Sequence, residues 1–439
     1  MKILQILSVV AALMILFSCQ ATNKTVQQEQ QIPELLMRSH LIGPEEEMGY
    51  INDTYQSLVT KINANPADHE SMLSLAELFM QEARISGEHG HYYPAALQII
   101  NTALNGQIED PLKYRALFDK ASVLLSLHQF PEAKTFGEQA LKLNAYSADA
   151  YGVMVDAYVE LGDYTNAVIM ADKMVSIRPD LRSYSRVSYL REIHGDVNGA
   201  IDAMKMAVTA GYPGLEQTEW ARLTLGHLYE HYGHQDSAMI QYATALSARP
   251  NYPFAIAAMA NGYSNMGDVK MADSLNAVAS HLIPEVGFYV DKAMWEKERG
   301  RVENSNAIAK EVLAMMADDE KAGHSMSLEL ARVHLLLMDD PKTALTYAMK
   351  EYAIRPENID VNMVLAEIYF HQNDLDKTGE HLAKAMKTGS MNPAAKCLEG
   401  LLMTKTNKEE EGERLLKQVF VENPNLDCSY CKEARSIII

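Results

Sequence analysis

EWARLTLGHLYEHYGHQDSAMIQYATALSARP, residues 219–250, contains two apolar-periodic helices with a glycine between them. Leu225, Gly226 and Tyr229 share one face of the first helix, and Ala238, Tyr242 and Ala245 share one face of the second, because spacings of three and four residues repeat the angular position. Gly233 can turn the chain with positive φ, and Pro250 stops the second helix. The stretch therefore reads as a helical hairpin. It also contains HLYEH (His227, Glu230, His231), the H-x-x-E-H spacing by which some metallopeptidases hold zinc with two histidines and use the glutamate as general base. The rest of the chain decides between these readings.

A small residue recurs at Ala133, Ala167, Ala200, Ala238, Ala272, Ala307, Ala344, Thr378 and Gly412, in steps of 33 to 38 residues. Such a period marks the point where two paired helices approach most closely, since a larger side chain would hold them apart. Tyr151, Tyr158, Gly162, Ala167, Ala171 and Pro179 repeat the hairpin pattern from 148, and Ala260, Tyr263, Gly267, Ala272, Ala279 and Pro284 repeat it from 253. Gly162, Gly195, Gly267 and Asn373 stand at turns that need positive φ.

On these residues the chain resembles the tetratricopeptide repeat (TPR) family. About ten units start near 69, 114, 148, 181, 219, 253, 288, 325, 359 and 393, those at 288 and 325 being degenerate. The expected fold is all-α. The resemblance implies a right-handed superhelical solenoid of about ten helix–turn–helix repeats over 67–424, after a capping helix at 45–66. A C-terminal segment with a CxxC follows at 425–439. Glu82 to Pro94 reads as an insertion between the two helices of the first unit.

Composition agrees with a helical array. Of 439 residues, 48% are hydrophobic and 22% charged, with 15 prolines and 23 glycines, and no run shows convincing strand alternation. The net charge of −19 argues against nucleic acid, whose phosphates require clustered lysine and arginine. The 25 methionines suit irregular gaps between stacked hairpins.

The first nineteen residues carry Lys2 and an uncharged apolar run from Ile3 to Phe17, the pattern of a targeting segment. Leu16-Phe17-Ser18-Cys19 resembles the bacterial lipobox, although Phe17 is larger than the residue usual there. The resemblance implies lipidation at Cys19, and residues 20–44 read as a flexible tether. The expected location is the bacterial cell envelope, lipid-anchored, at the outer membrane facing the periplasm.

In the TPR family the concave wall, made by first helices, binds peptides or helices of other proteins. The corresponding positions here begin with Arg115 and Phe118, then Asp149, Asp156 and Glu160, then Arg182, Tyr189 and Glu192. Trp220, His227, Glu230 and His231 follow, then Phe254, Asn261 and Asn265, and last Asp360, Glu367 and His371. The wall reads as acidic with aromatic anchors, suited to a basic or amphipathic partner segment. Solvated helix faces are the plainer account of the same charges.

HLYEH lies on this wall, and its remaining residues are explained by hairpin packing. Catalytic zinc needs a third protein ligand, for which Glu192 is the one neighbour to propose. No catalytic site, metal or cofactor is expected. Cys428 and Cys431, in CSYC, form a local disulfide or stay unpaired, and Cys397 stands alone. The expected function is a membrane-tethered scaffold that binds other proteins or peptides through its groove, with no small-molecule substrate. The alternatives are a subunit of an envelope secretion or assembly machine, or a zinc-dependent hydrolase built on residues 227–231.

Overall fold

The structure, a computed structural model, describes residues 32–438, so the expectations for the targeting segment, Cys19 and the first part of the tether lie outside the described residues. All regular structure among the described residues is helical, in 22 helices. Helix α1 (Glu45–Ala64) precedes ten hairpins. They are α2 (His69–Ser86) with α3 (His89–Asn105), α4 (Asp110–Ser126) with α5 (Phe130–Leu143), and α6 (Ala148–Glu160) with α7 (Tyr164–Ile177). Next come α8 (Leu181–Ile193) with α9 (Val197–Ala210), α10 (Glu216–His231) with α11 (Gln235–Ala248), and α12 (Pro253–Asn265) with α13 (Val269–Leu282). The series ends with α14 (Val286–Glu298) and α15 (Val302–Lys321), α16 (Ser327–Leu336) and α17 (Pro341–Ile354), α18 (Ile359–His371) and α19 (Leu375–Ala385), and α20 (Pro393–Lys405) and α21 (Glu409–Glu422). A short α22 (Cys431–Ile438) packs on α20 and α21. The all-α fold of stacked helix pairs is the one the repeat pattern predicts.

Three local devices recur among the hairpins. Every hairpin turn holds one residue at positive φ: Gly87, His128, Gly162, Gly195, Gly233, Gly267, Gly300, Asp339, Asn373 and Asn407. Asp68, Ser147, Asp163, Asp180, Asp196, Asp268, Asp340, Asn358, Asp374 and Asn392 cap helix starts by accepting from a backbone N–H three residues on, a bond whose removal costs about 1 kcal/mol each time. The fourth residue of the second helix is small and buried at Ala133, Ala167, Ala200, Ala238, Ala272, Ala344, Thr378 and Gly412.

The hairpin of α14 and α15 departs from the predicted register. Ala307 is exposed, and the crossing position is Ser305, buried, with its hydroxyl donating to the Ala293 carbonyl at 2.9 Å. Serine is small enough for the crossing and satisfies its hydroxyl on the partner helix. Alanine recurrence therefore places this crossing two residues too late. The supposed insertion at Glu82–Pro94 is also helical, since α2 and α3 are 18 and 17 residues long and only Gly87 and Glu88 separate them.

Residues 35–44, read as the end of a tether, are packed. The Leu36 N–H donates to the Tyr92 hydroxyl at 3.0 Å, Ile42 is buried, and Arg38 bridges Glu47 at 2.5 Å and Glu82 at 3.2 Å. Paired charges and a buried isoleucine hold this segment in place, which polar composition alone does not reveal.

The array coils until it meets itself. The turn of each of the first five hairpins docks on the loop that follows the hairpin five places later. Gly87 approaches Ile283 and Glu285. The Leu127 carbonyl accepts from the Ser325 N–H at 3.0 Å, and the Gln129 side chain donates to the Gly323 carbonyl at 2.7 Å. Tyr164 accepts at its hydroxyl from the Ile359 N–H at 2.8 Å, while the Asn358 amide donates to the Glu160 carbonyl at 3.0 Å. Thr388 donates to the Ile193 carbonyl, and Asn423 donates to the His231 carbonyl at 2.9 Å. Ahead of the first hairpin, the Gly43 N–H donates to the Pro250 carbonyl at 3.1 Å, and Arg249 holds both Glu47 oxygens at 2.8 Å. These contacts form a seam between successive turns of the coil. The inner wall is thus the lining of a lumen, not the open groove expected from the sequence.

Candidate functional site

First helices face the lumen, and they treat its polar positions in two ways. Along α4, α6 and the start of α8 most charges pair with neighbours, the exception being Asp119 of α4, buried with one oxygen unpartnered and pushed up to about 8 by that burial. Arg115 donates to Glu77 at 2.6 Å, Asp149 accepts from Arg178 and from Arg182 at 3.2 Å, and Asp156 accepts from Arg186 at 2.9 Å. Glu160 is bound to Arg355 across the seam. Each of these links adjacent elements, so a ligand would have to break it to use either partner.

From α8 onward the wall is different. Two cavities open there, of about 1040 and 470 Å³. The larger has an apolar floor that includes Leu223, Phe254, Phe288, Met316, Val333 and Leu337, and its rim carries Glu88, Glu285, Asp291, Asp318, Asp319 and Glu329 against the single arginine Arg332. The smaller is bounded by Glu192, His227, Glu230, His231 and Asn265 on one side and by Asn423, Asn425, Leu426 and Asp427 of the C-terminal segment on the other. His227 lines both.

The lumenal carboxylates are poorly compensated. Burial pushes Glu192 and Glu367 each up to about 7, and it raises Glu285, Asp291 and Asp319 as well. These groups keep some accessible surface, yet helices enclose them on most sides, so water screens them less than it would on an outer face. Asn261 donates to Asp291 at 2.8 Å, the one hydrogen bond that favours its charged form. Burial also works to raise Glu230, but His227 at 3.9 Å and the Tyr242 hydroxyl at 2.8 Å outweigh it and hold its carboxyl below the usual value.

The H-x-x-E-H residues are engaged in the hairpin. Glu230 accepts from Tyr242 and, at 3.1 Å, from Asn265 of the next hairpin, while His227 Nδ1 lies 3.1 Å from the Tyr242 hydroxyl. Burial lowers the affinity of His231 for a proton. Glu192, the proposed third ligand, meets Tyr232 and not the histidines, at 3.5 Å. Among the described residues, the one group of three or more histidine, cysteine or carboxylate side chains that converges closely enough for a metal consists of Cys397, Cys428 and Cys431.

The structure thus places Glu192, His227, Glu230, His231, Asn261 and Asn265 around the two cavities, whereas Arg115, Asp156, Glu160, Arg182, Tyr189, Trp220 and Glu367 line neither. Trp220 is 46% exposed on α10, and Glu367 lies on α18 near Tyr430 and Arg332. Sequence reasoning missed Glu285, Asp291, Asp319 and His324, which belong to the hairpins it read as degenerate or to the loops beside them.

Residues 148–181 match the tetratricopeptide repeat family model. No curated protein matches the chain in sequence. Among solved structures, the chain is similar to TTC0263, a thermophilic TPR protein of Thermus thermophilus, at 22% identity over 41% of this chain and 91% of that one, with a TM-score of 0.36. It is similar to YrrB, described as a TPR protein with an unusual peptide-binding site, at 19% identity over 43% and 94%, TM-score 0.29. It is also similar to human IFIT1 at 12% identity over 79% and 78%, TM-score 0.47. One repeat is therefore identified by sequence, and the helical-repeat architecture suggests a protein-interaction scaffold.

Among the described residues no helix is long and apolar enough to cross a membrane.

Proposed function

We propose that the chain is a scaffold that receives a basic, amphipathic polypeptide segment in the lumen of its coil. The observation that carries this reading is the larger cavity, where six carboxylates and one arginine line an apolar floor. Asp318 pairs with Lys321 and Glu329 lies 3.7 Å from His128, which leaves Glu285, Asp291 and Asp319 as the enclosed carboxylates a ligand would meet. An apolar face buried on that floor supplies affinity, and lysine or arginine at the rim relieves the carboxylates, whose enclosure makes each unpaired charge costly. Because the seam closes the side of the groove, the segment enters along the coil axis or when the seam opens.

A lipid on Cys19, with residues 20–34 as tether, would hold the scaffold at the bacterial envelope and raise its effective concentration near membrane partners. Globomycin-sensitive lipid labelling that persists in Cys19→Ser would exclude that anchor. The binding role is tested by a photo-crosslinking residue placed at His227, which lines both cavities, or at Tyr146, which is 85% exposed. Polypeptides with a basic segment should be trapped from position 227 and not from 146. Trapping from 146 alone would refute a lumenal site.

A further inference from the structure

The C-terminal end brings together three sulfurs that the sequence keeps apart. Cys397 lies inside α20, Cys428 in the loop after α21, and Cys431 is the first residue of α22. Their sulfur atoms all lie within 4.8 Å of one another. Cys397 is 0% exposed and Cys431 3%, and both sit in an apolar cluster with Leu398, Leu401, Tyr430 and Ala434. In the structure Cys428 and Cys431 are joined as a disulfide, with Cα atoms 5.0 Å apart, and Cys397 is a free thiol.

We propose that the dithiol form of this corner is a three-coordinate site for copper(I), held by Cys397, Cys428 and Cys431. Soft thiolates select copper(I), and they also bind zinc, but structural zinc takes four ligands. The cluster offers three, with no histidine or carboxylate among them. An ion about 2.3 Å from each sulfur would hold the three about 4 Å apart, so once their bond is reduced the Cys428 and Cys431 sulfurs must move apart, while Cys397 already lies within 4.8 Å of both. Three thiolates and copper(I) leave an excess negative charge. Arg435 stands beside it, its guanidinium fixed by donation to the carbonyls of Pro424 at 2.8 Å and Leu426 at 3.1 Å. Burial pushes the free Cys397 thiol up to about 12, and the Arg435 charge offsets only part of that. The apolar surroundings exclude water and competing hard ligands.

Opening the site is a two-electron step. A dithiol reductant transfers two electrons and two protons to the Cys428–Cys431 bond and leaves as its own disulfide. The three thiols then each lose a proton to solvent as copper(I) coordinates. The oxidised form, with one free sulfur, is closed to the metal. Loading would therefore report the redox state of the compartment.

The test uses the full chain, reduced with dithiothreitol, freed of it under argon and titrated with copper(I) against bicinchoninate. One copper per chain with an ultraviolet thiolate-to-copper band is expected, and none in the disulfide form. Cys397→Ser should weaken binding by more than about 100-fold, the upper end of what outer-shell changes cost, with unchanged helical circular dichroism. Should that buried variant misfold, Cys428→Ser, at a less buried position, must show the same loss. Binding that survives both substitutions, zinc bound in preference to copper, or no copper at all would each overturn the assignment.

Discussion

The seam and the lumen are two surfaces of the same repeats, and they use charge in opposite ways. At the seam the buried arginines are set in ion pairs, Arg249 with Glu47, Arg38 with Glu47 and Glu82, and Arg355 with Glu160 and Glu351. Burial still raises Glu82 and Glu160, and Glu285, which faces Gly87 across the seam, has no such pair. In the larger cavity Glu285, Asp291 and Asp319 have no arginine or lysine in ion-pair contact among the described residues. A repeat protein is held mainly by contacts between neighbours, and here a second set, between residues about five hairpins apart, fixes how tightly the coil winds. The contrast assigns stability to one surface and ligand recognition to the other. Substitutions at each surface can break that assignment.

The largest loss is expected at the N-terminal end of the seam. Arg249 is fully buried and also donates to the Gly214 carbonyl at 3.1 Å. Arg249→Met would leave Glu47 short of its bidentate partner, and removing one member of a buried pair costs about 3–5 kcal/mol. Urea melts followed by circular dichroism should show an early transition, and the radius of gyration from solution scattering should rise before it. A variant as stable and as compact as the parent would mean that the seam does not hold the coil.

A glycine pair separates seam from backbone. Gly162 and Gly267 have almost the same φ, +81° and +82°. A Cβ on Gly267 meets nothing within 4 Å, whereas on Gly162 it would overlap the backbone of Glu357 and Asn358 across the seam. Gly267→Ala should cost about 1–2 kcal/mol for left-handed backbone alone. Gly162→Ala should cost more and expand the coil, and equal effects would show that this turn-to-loop contact contributes nothing.

This pair also marks what could be read in advance. Hairpin starts, turn glycines and crossing alanines are local, because helix period, positive φ and close approach each leave a mark within about 34 residues. Positive φ at His128 and Asp339 left none, since neither residue announces a turn as glycine does. The seam left no mark either. Whether Asn358 finds Glu160 depends on small rotations summed over five hairpins, which no single repeat encodes. The wall was therefore legible by helix face at His227, Glu230 and Asn261, while the closure of the groove and the unpaired carboxylates of α14, α15 and the loop before them were not. The third sulfur was hidden for the same reason: Cys397 reaches the CxxC only because α22 stacks back on α20.

Titration tests the lumen. A carboxyl whose folded pKa is raised binds more protons in the native chain than in the unfolded one between the two values, so stability falls as pH rises through that window. For Glu192 the window runs from 4.5 to about 7. Glu192→Gln should be more stable than the parent at pH 8, by about 1 kcal/mol after allowance for screening, and indistinguishable at pH 4. Equal stability at both pH values would show that the lumen screens Glu192 as bulk water does. A basic ligand should erase the same difference by supplying the missing partner.

The smallest effect is expected where groove charges pair along one wall. Arg186 and Asp156 are both partly exposed, so Arg186→Ala should cost only about 0.2–1 kcal/mol, less in high salt as screening grows. Its effect on capture of a basic segment decides more. If Asp156 is engaged only with its neighbour, freeing it adds an uncompensated carboxylate to the wall, and affinity for a basic segment should rise slightly. A fall in affinity would mean that the ion pairs of α4 to α8 shape the binding surface, and the division between a structural and a receptive wall would have to move upstream.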